Sequence, residues 1–433
     1  MNIDTTAPAA GAAPPPPPEP PPQPQPQPHP TFGFDSAAAL PGTPAPQRWP
    51  LRFVGSGSEY FRIWIVNLLL TLVTLGLYYP FAKVRRLRYF HGATEVGGHP
   101  LSFHADPWKM LRGYLLVGAM VAVYSLAGHF STTAGVVAFV LVAMLWPALW
   151  HSSMRFRMAN TGWRGLRFRY TGTSTQAYKV FVLPVLGVAA IIGISLLTAI
   201  EPGARPTGQQ VLVGLLPSLL FMALFPWFFW LIKRQQHDHY ALGDEQTRFE
   251  VGVRGIYGVG LRSFGLFLGA LVVLVLVVAL VGVGGAMLLG MGERGADTGS
   301  GGAGGLISNL TGVIAVVSVF LGYLLILTLV GGYFTARLQN LVWNGTRSAH
   351  VGFSSKVSAK ALGLLWLKNW VLTILTLGLY YPFASIASAR MRLQAVEVLS
   401  DIAPETLVAR GAALDESAAG DAAGDLFGFD VGL

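Results

Sequence analysis

The chain has 433 residues, 52% of them apolar and only 12% charged, with a net charge of +9 and no cysteine. A soluble domain carries roughly 25% charged residues, so most soluble classes are excluded, as are a disulfide scaffold and a cysteine metal site. Nucleic-acid binding would need Lys and Arg gathered on a soluble face. Here they fall between long apolar runs, where a membrane protein keeps its cytoplasmic charge.

Residues 1–50 are low in complexity. Prolines from Pro14 to Pro30, alternating with Gln toward the end, favour a disordered, solvated polyproline-type tail. No basic start leads into an apolar run, as a signal peptide would require. Residues 51–395 are expected to form the membrane domain. Residues 396–433, rich in Ala, Gly and acids such as Asp415, Asp421 and Asp430, are expected to form an acidic disordered tail. The tetrapeptide Phe32-Gly-Phe-Asp35 recurs as Phe427-Gly-Phe-Asp430, which we read as chance.

Eight apolar segments lie near 60–82, 113–130, 133–150, 180–200, 211–232, 264–290, 306–333 and 362–384. About 20 apolar helical residues cross a hydrocarbon core of about 30 Å, and only closed hydrogen bonding survives there. Three pairs are joined by short links at Ser131-Thr132, 201–210 and 292–305. The four longer loops, 83–112, 151–179, 233–262 and 334–361, hold 21 of the 30 Lys and Arg, against Arg205 and Arg294 in the links. This asymmetry puts the four loops in the cytoplasm.

The first and last segments are related. Asn67 to Ala82 and Asn369 to Ala384 are identical at 12 of 16 positions, including Gly-Leu-Tyr-Tyr-Pro-Phe-Ala. A weaker alternation precedes each membrane unit: Leu51, Phe53, Gly55; Leu101, Phe103, Ala105; Phe168, Tyr170, Gly172; Phe249, Val251, Val253; Val351, Phe353, Ser355. Such alternation is a short half-buried strand. Aromatics follow at Tyr60, Trp108, Tyr178 and Tyr257, where an interfacial belt would lie. The expected fold is all-α multi-pass transmembrane with short cytoplasmic β-strands that meet in one small sheet. It is built of tandem repeat modules, three helical hairpins flanked by two related single segments. A single crossing at each end would put the chain ends outside. Re-entry would keep both inside, and Gly76, Pro80, Asn67, Thr71 and Thr74 interrupt the first segment enough to favour it.

Phe53, Gly55, the run from Thr74 to Arg86, His91-Gly92 and the strand at Phe103 resemble the YjgN-like family of bacterial inner-membrane proteins, a domain of unknown function. The likeness spans roughly 51–395. It implies a multi-pass inner-membrane protein and transfers no catalytic residue. The second copy departs after Ala384, where Ser-Ile-Ala-Ser-Ala replaces Lys-Val-Arg-Arg-Leu.

No constellation for chemistry is present: no P-loop, no zinc-protease helix, no nucleophile elbow. His91, His99, His104 and Asp106 crowd one loop without a metal-site spacing, and His237-Asp238-His239 do not share a helix face. We therefore expect no enzyme, cofactor or metal. Asn67, Asn369 and Lys368 are the candidate polar membrane positions, as liners of a path or as packing and snorkelling groups. Arg85, Arg86, Arg88, Arg155 and Arg157 are candidate contacts to anionic lipid headgroups. Partners beyond the bilayer are not legible. The functional expectation is a transporter- or channel-like protein, or else a non-catalytic scaffold that binds partners or anionic lipid on its cytoplasmic face.

Overall fold

The computed structural model describes residues 46–197, 205, 207–293 and 303–418. The outer tails, half of the 201–210 link, the middle of the 292–305 link and both Phe-Gly-Phe-Asp tetrapeptides lie outside the described residues.

Among the described residues six helices are long and apolar enough to cross a membrane. They pair as α3 (Pro107–Phe130) with α4 (Thr132–Ala159), α5 (Ser174–Leu197) with α6 (Gly208–His237), and α7 (Val253–Glu293) with α8 (Ala303–Asn344). The protein is a multi-pass helical membrane protein. The helices outrun the apolar segments because each continues past the lipid-facing stretch to the strands below.

Each end segment, expected as a single element, is a pair of shorter helices. The first is α1 (Gly57–Val73) and α2 (Tyr79–Gly92); the last is α9 (Ala359–Leu375) and α10 (Tyr381–Leu393). A 17-residue helix is about 25 Å long, short of a full crossing. The chain then reverses at a tight turn with Leu75 at φ 49° and Gly76 at φ 93°, repeated by Leu377 at 51° and Gly378 at 91°. Pro80 and Pro382 then open the return helices, where a missing N–H costs nothing. The ten helices form a closed circle. Each packs mainly on its two chain neighbours, and α1 packs on α10.

The sheet is far larger than expected, and it corrects the all-α reading. Its eleven strands are β1 (Gln47–Phe53), β2 (Thr94–Val96), β3 (His99–Phe103), β4 (Thr161–Trp163), β5 (Leu166–Tyr170), β6 (Tyr240–Leu242), β7 (Glu245–Gln246), β8 (Arg248–Phe249), β9 (Thr346–Arg347), β10 (Val351–Ser355) and β11 (Val396–Ser400). The order is β7-β6-β5-β4-β3-β2-β1-β11-β10-β9-β8. Only Thr247 separates the two edge strands along the chain, so the sheet is nearly a barrel. Glu245 bridges the seam, accepting from the Ser348 hydroxyl and the His350 N–H. Strands of two to seven residues, scattered between long apolar runs, leave little trace in the sequence.

One strand face is apolar and packs inward, where the Trp49 and Trp163 rings stack at 5.9 Å beside Leu166 and Val398. The other carries exposed Arg48, Arg52, Arg167, Arg169 and Arg248. All helical connections leave one end of the strands; the short turns lie at the other. There α11 (Pro404–Ala418) covers the turns. Leu407 joins the inner core, Glu405 pairs with Arg164 at 2.9 Å, and Arg410 with Asp244 at 3.7 Å. The stretch 396–418, expected as acidic tail, therefore holds a strand and a helix. Its Val396-x-Val398 alternation was masked by the Ala-rich residues that follow it.

The same join of strand to helix occurs five times. The N–H groups of Val54, His104, Thr171, Glu250 and Lys356 donate to the carbonyls of Ala93, Asn160, His239, Gly345 and Ala395, at 2.8–3.0 Å. Two residues on come Ser56, Asp106, Thr173, Gly252 and Ser358. Four of these cap their helices through side chains that accept from Glu59, Trp108, Gln176 and Ala361 N–H groups. By this register Phe53 corresponds to Phe103, Tyr170, Phe249 and Ser355. The fourth and fifth sequence frames are thus two residues out, a shift that keeps the inward face because the strand period is two.

Candidate functional site

The end hairpins hold the first set of candidates. Thr74 closes the tip of the first: its hydroxyl donates to Leu70 O (2.8 Å) and accepts from Tyr78 N–H (3.0 Å), and Thr376 does the same for Leu372 and Tyr380 (2.7 and 2.9 Å). These bonds satisfy backbone groups that a membrane would leave unpaired. The tips themselves are apolar and bare, with Leu75 94% and Leu377 93% exposed.

Below each tip an asparagine is buried: Asn67 is 7% and Asn369 6% exposed. The Asn369 side-chain N–H group reaches Ala384 O and Ser388 Oγ, both at 3.3 Å. The Oδ1 atoms of Asn67 and Asn369 have no partner in the protein, a costly state that invites a water or a ligand. The structure does not bring the two together, since α10 lies between α9 and α1 in the circle. Lys368 is exposed, away from its buried neighbour Asn369.

The five candidate arginines are all exposed. Arg85 and Arg88 join Arg62, Ile63, Val66 and Tyr89 around a cleft of about 490 Å³ on the first hairpin. Arg155 is exposed on α4. Arg86 lies over the Phe90 ring, 6.0 Å from its centroid, and the Arg157 Nε donates to Ser153 O at 3.4 Å. Lys83 lies in the field of both Arg157 and Arg86, and Lys233 in that of Arg157. The Arg157 guanidinium touches Met154 Sδ at 3.5 Å, as does the Gln236 amide, and Lys233 donates to Gln236 Oε1 at 3.0 Å. Met154 and Gln236 thus join the exits of α4 and α6. Lys83 and Lys233 read in the sequence only as basic helix exits, because every basic loop residue reads alike as a topology signal.

The histidines serve the fold. His91 stacks on Phe103 with ring centroids 5.0 Å apart, and Asp106 caps α3. His237 is buried against Tyr240, Phe249 and Trp343, with Thr346 Oγ1 3.0 Å from its Nδ1. Asp238 accepts the Phe249 N–H and pairs with Arg234. Sequence reading missed His151, held between Gly172 O and Ser174 Oγ. It also missed Tyr170, whose hydroxyl donates to Gln235 O and whose pKa burial pushes up to about 12.

A family model for bacterial proteins of unknown function (DUF898) matches residues 48–426. The inner membrane protein YjgN of Salmonella typhimurium is 27% identical over 371 residues, covering 81% of this chain and 89% of that protein. YjgN of Escherichia coli (strain K12) is 29% identical over 141 residues, 31% of this chain and 34% of its own length. No solved structure matches the chain.

Proposed function

The chain belongs to the family of bacterial proteins of unknown function DUF898, and we propose that it is an inner-membrane conduit, transporter- or channel-like, that catalyses no reaction. The observation that carries this reading is the closed circle of ten helices, completed by α1 on α10. In a circle whose members pack on their flanks, a path would run along the inner face. The relatives named as inner membrane proteins support the location. The basic loops support a cytoplasmic sheet, with both chain ends on that side and the end hairpins re-entrant. The five equal joins support a tandem repeat of one unit.

Flux across liposomes holding the purified full chain tests the conduit, with sodium, chloride, phosphate and glycerol as probes. Flux above that of empty liposomes, lowered by Asn67→Ala/Asn369→Ala, is the expected result. No flux for any probe rejects it.

One observation favours a second reading. The barrel axis is filled by Trp49, Trp163 and Leu407, and the outer strand face is basic. A scaffold that binds anionic lipid through Arg62, Arg85 and Arg88, without conduction, fits those two facts. Vesicle binding that rises with anionic lipid in the absence of any flux selects it.

A further inference from the structure

The first end hairpin carries charge that its sister lacks. On α1, Phe61 and Trp64 meet Phe383 and Tyr381 of α10, and Tyr60 meets Tyr89 and Phe90 of α2. The side turned away from both neighbours, outward on a circle of helices, presents Arg62, Val66, Leu69 and Val73, all exposed, at i, i+4, i+7 and i+11. Arg62 and Val66 also wall the cleft of about 490 Å³, with Arg85, Arg88 and Tyr89 across from them on α2. Among the described residues no carboxylate pairs with Arg62, Arg85 or Arg88. Glu59, one turn nearer the sheet, accepts from the Tyr89 hydroxyl at 3.1 Å. Above Arg62 the apolar stripe runs about 12 Å from Val66 to the tip, close to the depth of one hydrocarbon leaflet, about 15 Å. The sister hairpin α9–α10 shows that the fold does not require these cations. There Leu364 and Ala387 stand in the places of Arg62 and Arg85, and Arg390, in the place of Arg88, donates to Gly55 O at 2.7 Å. Lys368, in the place of Val66, breaks the apolar stripe. Retention on the cytoplasmic side needs charge at the helix exits, but not three guanidinium groups around one cleft beneath an apolar stripe.

We propose that the outer face of α1–α2 seats one anionic phospholipid of the cytoplasmic leaflet, its phosphate held by Arg62, Arg85 and Arg88 and an acyl chain laid along Val66, Leu69 and Val73. The seat rests on the anionic-lipid reading above and narrows it to one place on one hairpin; it needs no conduction. Guanidinium groups suit a phosphate because their planar N–H pairs match its oxygens. A free phosphate would satisfy the cations and leave the stripe uncovered. A lipid satisfies both, and the match of stripe length to leaflet depth makes the lipid the occupant.

Native mass spectrometry of the full chain in detergent, titrated with phosphatidylglycerol or phosphatidylcholine, counts the lipids held. One saturable phosphatidylglycerol per chain, bound in preference to phosphatidylcholine, is the expected result. Arg62→Gln/Arg85→Gln/Arg88→Gln should weaken it about a hundredfold, roughly fivefold for each charge. Arg52→Gln/Arg167→Gln/Arg248→Gln, an equal change of charge on the exposed outer strand face, should bind as wild type does. Short-chain phosphatidylglycerol should bind more weakly than the long-chain lipid, because the stripe then has less to cover it. Displacement of the long-chain lipid by inorganic phosphate at equal concentration would make the occupant a free oxyanion and overturn the proposal. Equal loss in both triple variants, or loss in neither, overturns the seat and leaves the broader anionic-lipid reading standing. Phosphatidylglycerol held no better than phosphatidylcholine by the wild type overturns both. The three arginines are exposed, so their variant should fold. If it does not, Arg62→Gln alone decides: a loss of about fivefold is expected, and an unchanged affinity overturns the seat.

Discussion

Hairpin α1–α2 turns back after a 17-residue helix, whereas α7 runs for 41 residues, yet both start four residues past an inward strand residue, Phe53 in one and Phe249 in the other. The base of every unit is fixed by the same backbone bond and the same capping position. Only the height differs. The end pairs stop where Thr74 or Thr376 ties off the helix and a glycine takes the left-handed turn. In the middle pair whose tip is described, α3 runs 24 residues before Ser131 ends it and caps α4. The lesson is that a sheet-side frame sets where helices stand, and a few polar residues at the tip set how far they reach.

The largest effect should come at the seam between a middle pair and an end pair. Gly332 of α8 and Gly363 of α9 cross so closely that a Cβ on Gly332 would lie 2.7 Å from the Gly363 Cα. Gly332→Leu must push the last end hairpin outward at a cost of about 3 kcal/mol or more. Gly118→Leu, within the α3–α4 pair where nothing lies within 4 Å, should leave the unfolding midpoint unchanged. Equal midpoints for the two variants would dissolve the claim that the seam is packed.

Next come the tips. Thr74→Val or Thr376→Val strands the Tyr78 or Tyr380 N–H, costing about 1–3 kcal/mol in thermal unfolding. Thr328→Val in α8 removes only a bond back to the Leu324 carbonyl and should cost far less. If Thr74→Val proves as mild as Thr328→Val, the hydroxyl does not set the height of the end pairs. At the base the expected effects are smaller. Ser56→Ala and Ser358→Ala each lose a cap worth about 1 kcal/mol, while Gly252→Ser, placed in open space, should gain a few tenths of that.

The sequence showed the apolar spans, the kinship of the two end segments and the strand alternation, because those signals are local and long. It hid the barrel, since Glu245-Gln246 or Thr346-Arg347 is too short to have a period. The four caps at Ser56, Asp106, Thr173 and Ser358, with Gly252 in the fifth place, were in plain view. Read together with the alternation, they would have corrected the two shifted frames. The meeting of Arg157 and Gln236 at Met154 was hidden for another reason: which face an exit residue takes depends on the neighbouring helix, and spacing along one segment does not report it.

The smallest effect lies where the last end unit reaches back over the middle ones. Helix α11 follows β11, yet its polar anchors are Arg164 in the β4–β5 turn and Asp244 in the β6–β7 turn. The Glu405 carboxyl is held below its ordinary value of 4.5, first by a backbone N–H at the helix start and then by Arg164. A depressed carboxyl contributes above its unfolded pKa, and that contribution is lost as pH falls through the folded value. Glu405 is fully exposed, so the contribution is slight and salt-sensitive. Leu407 in the core should hold the helix near neutrality whether or not the pair forms. We expect amide exchange in α11 to be slower in wild type than in Glu405→Gln at about pH 6, and the two to converge by about pH 3. A ratio that stays constant across that range would show that the apolar contact alone fastens α11 to the middle units.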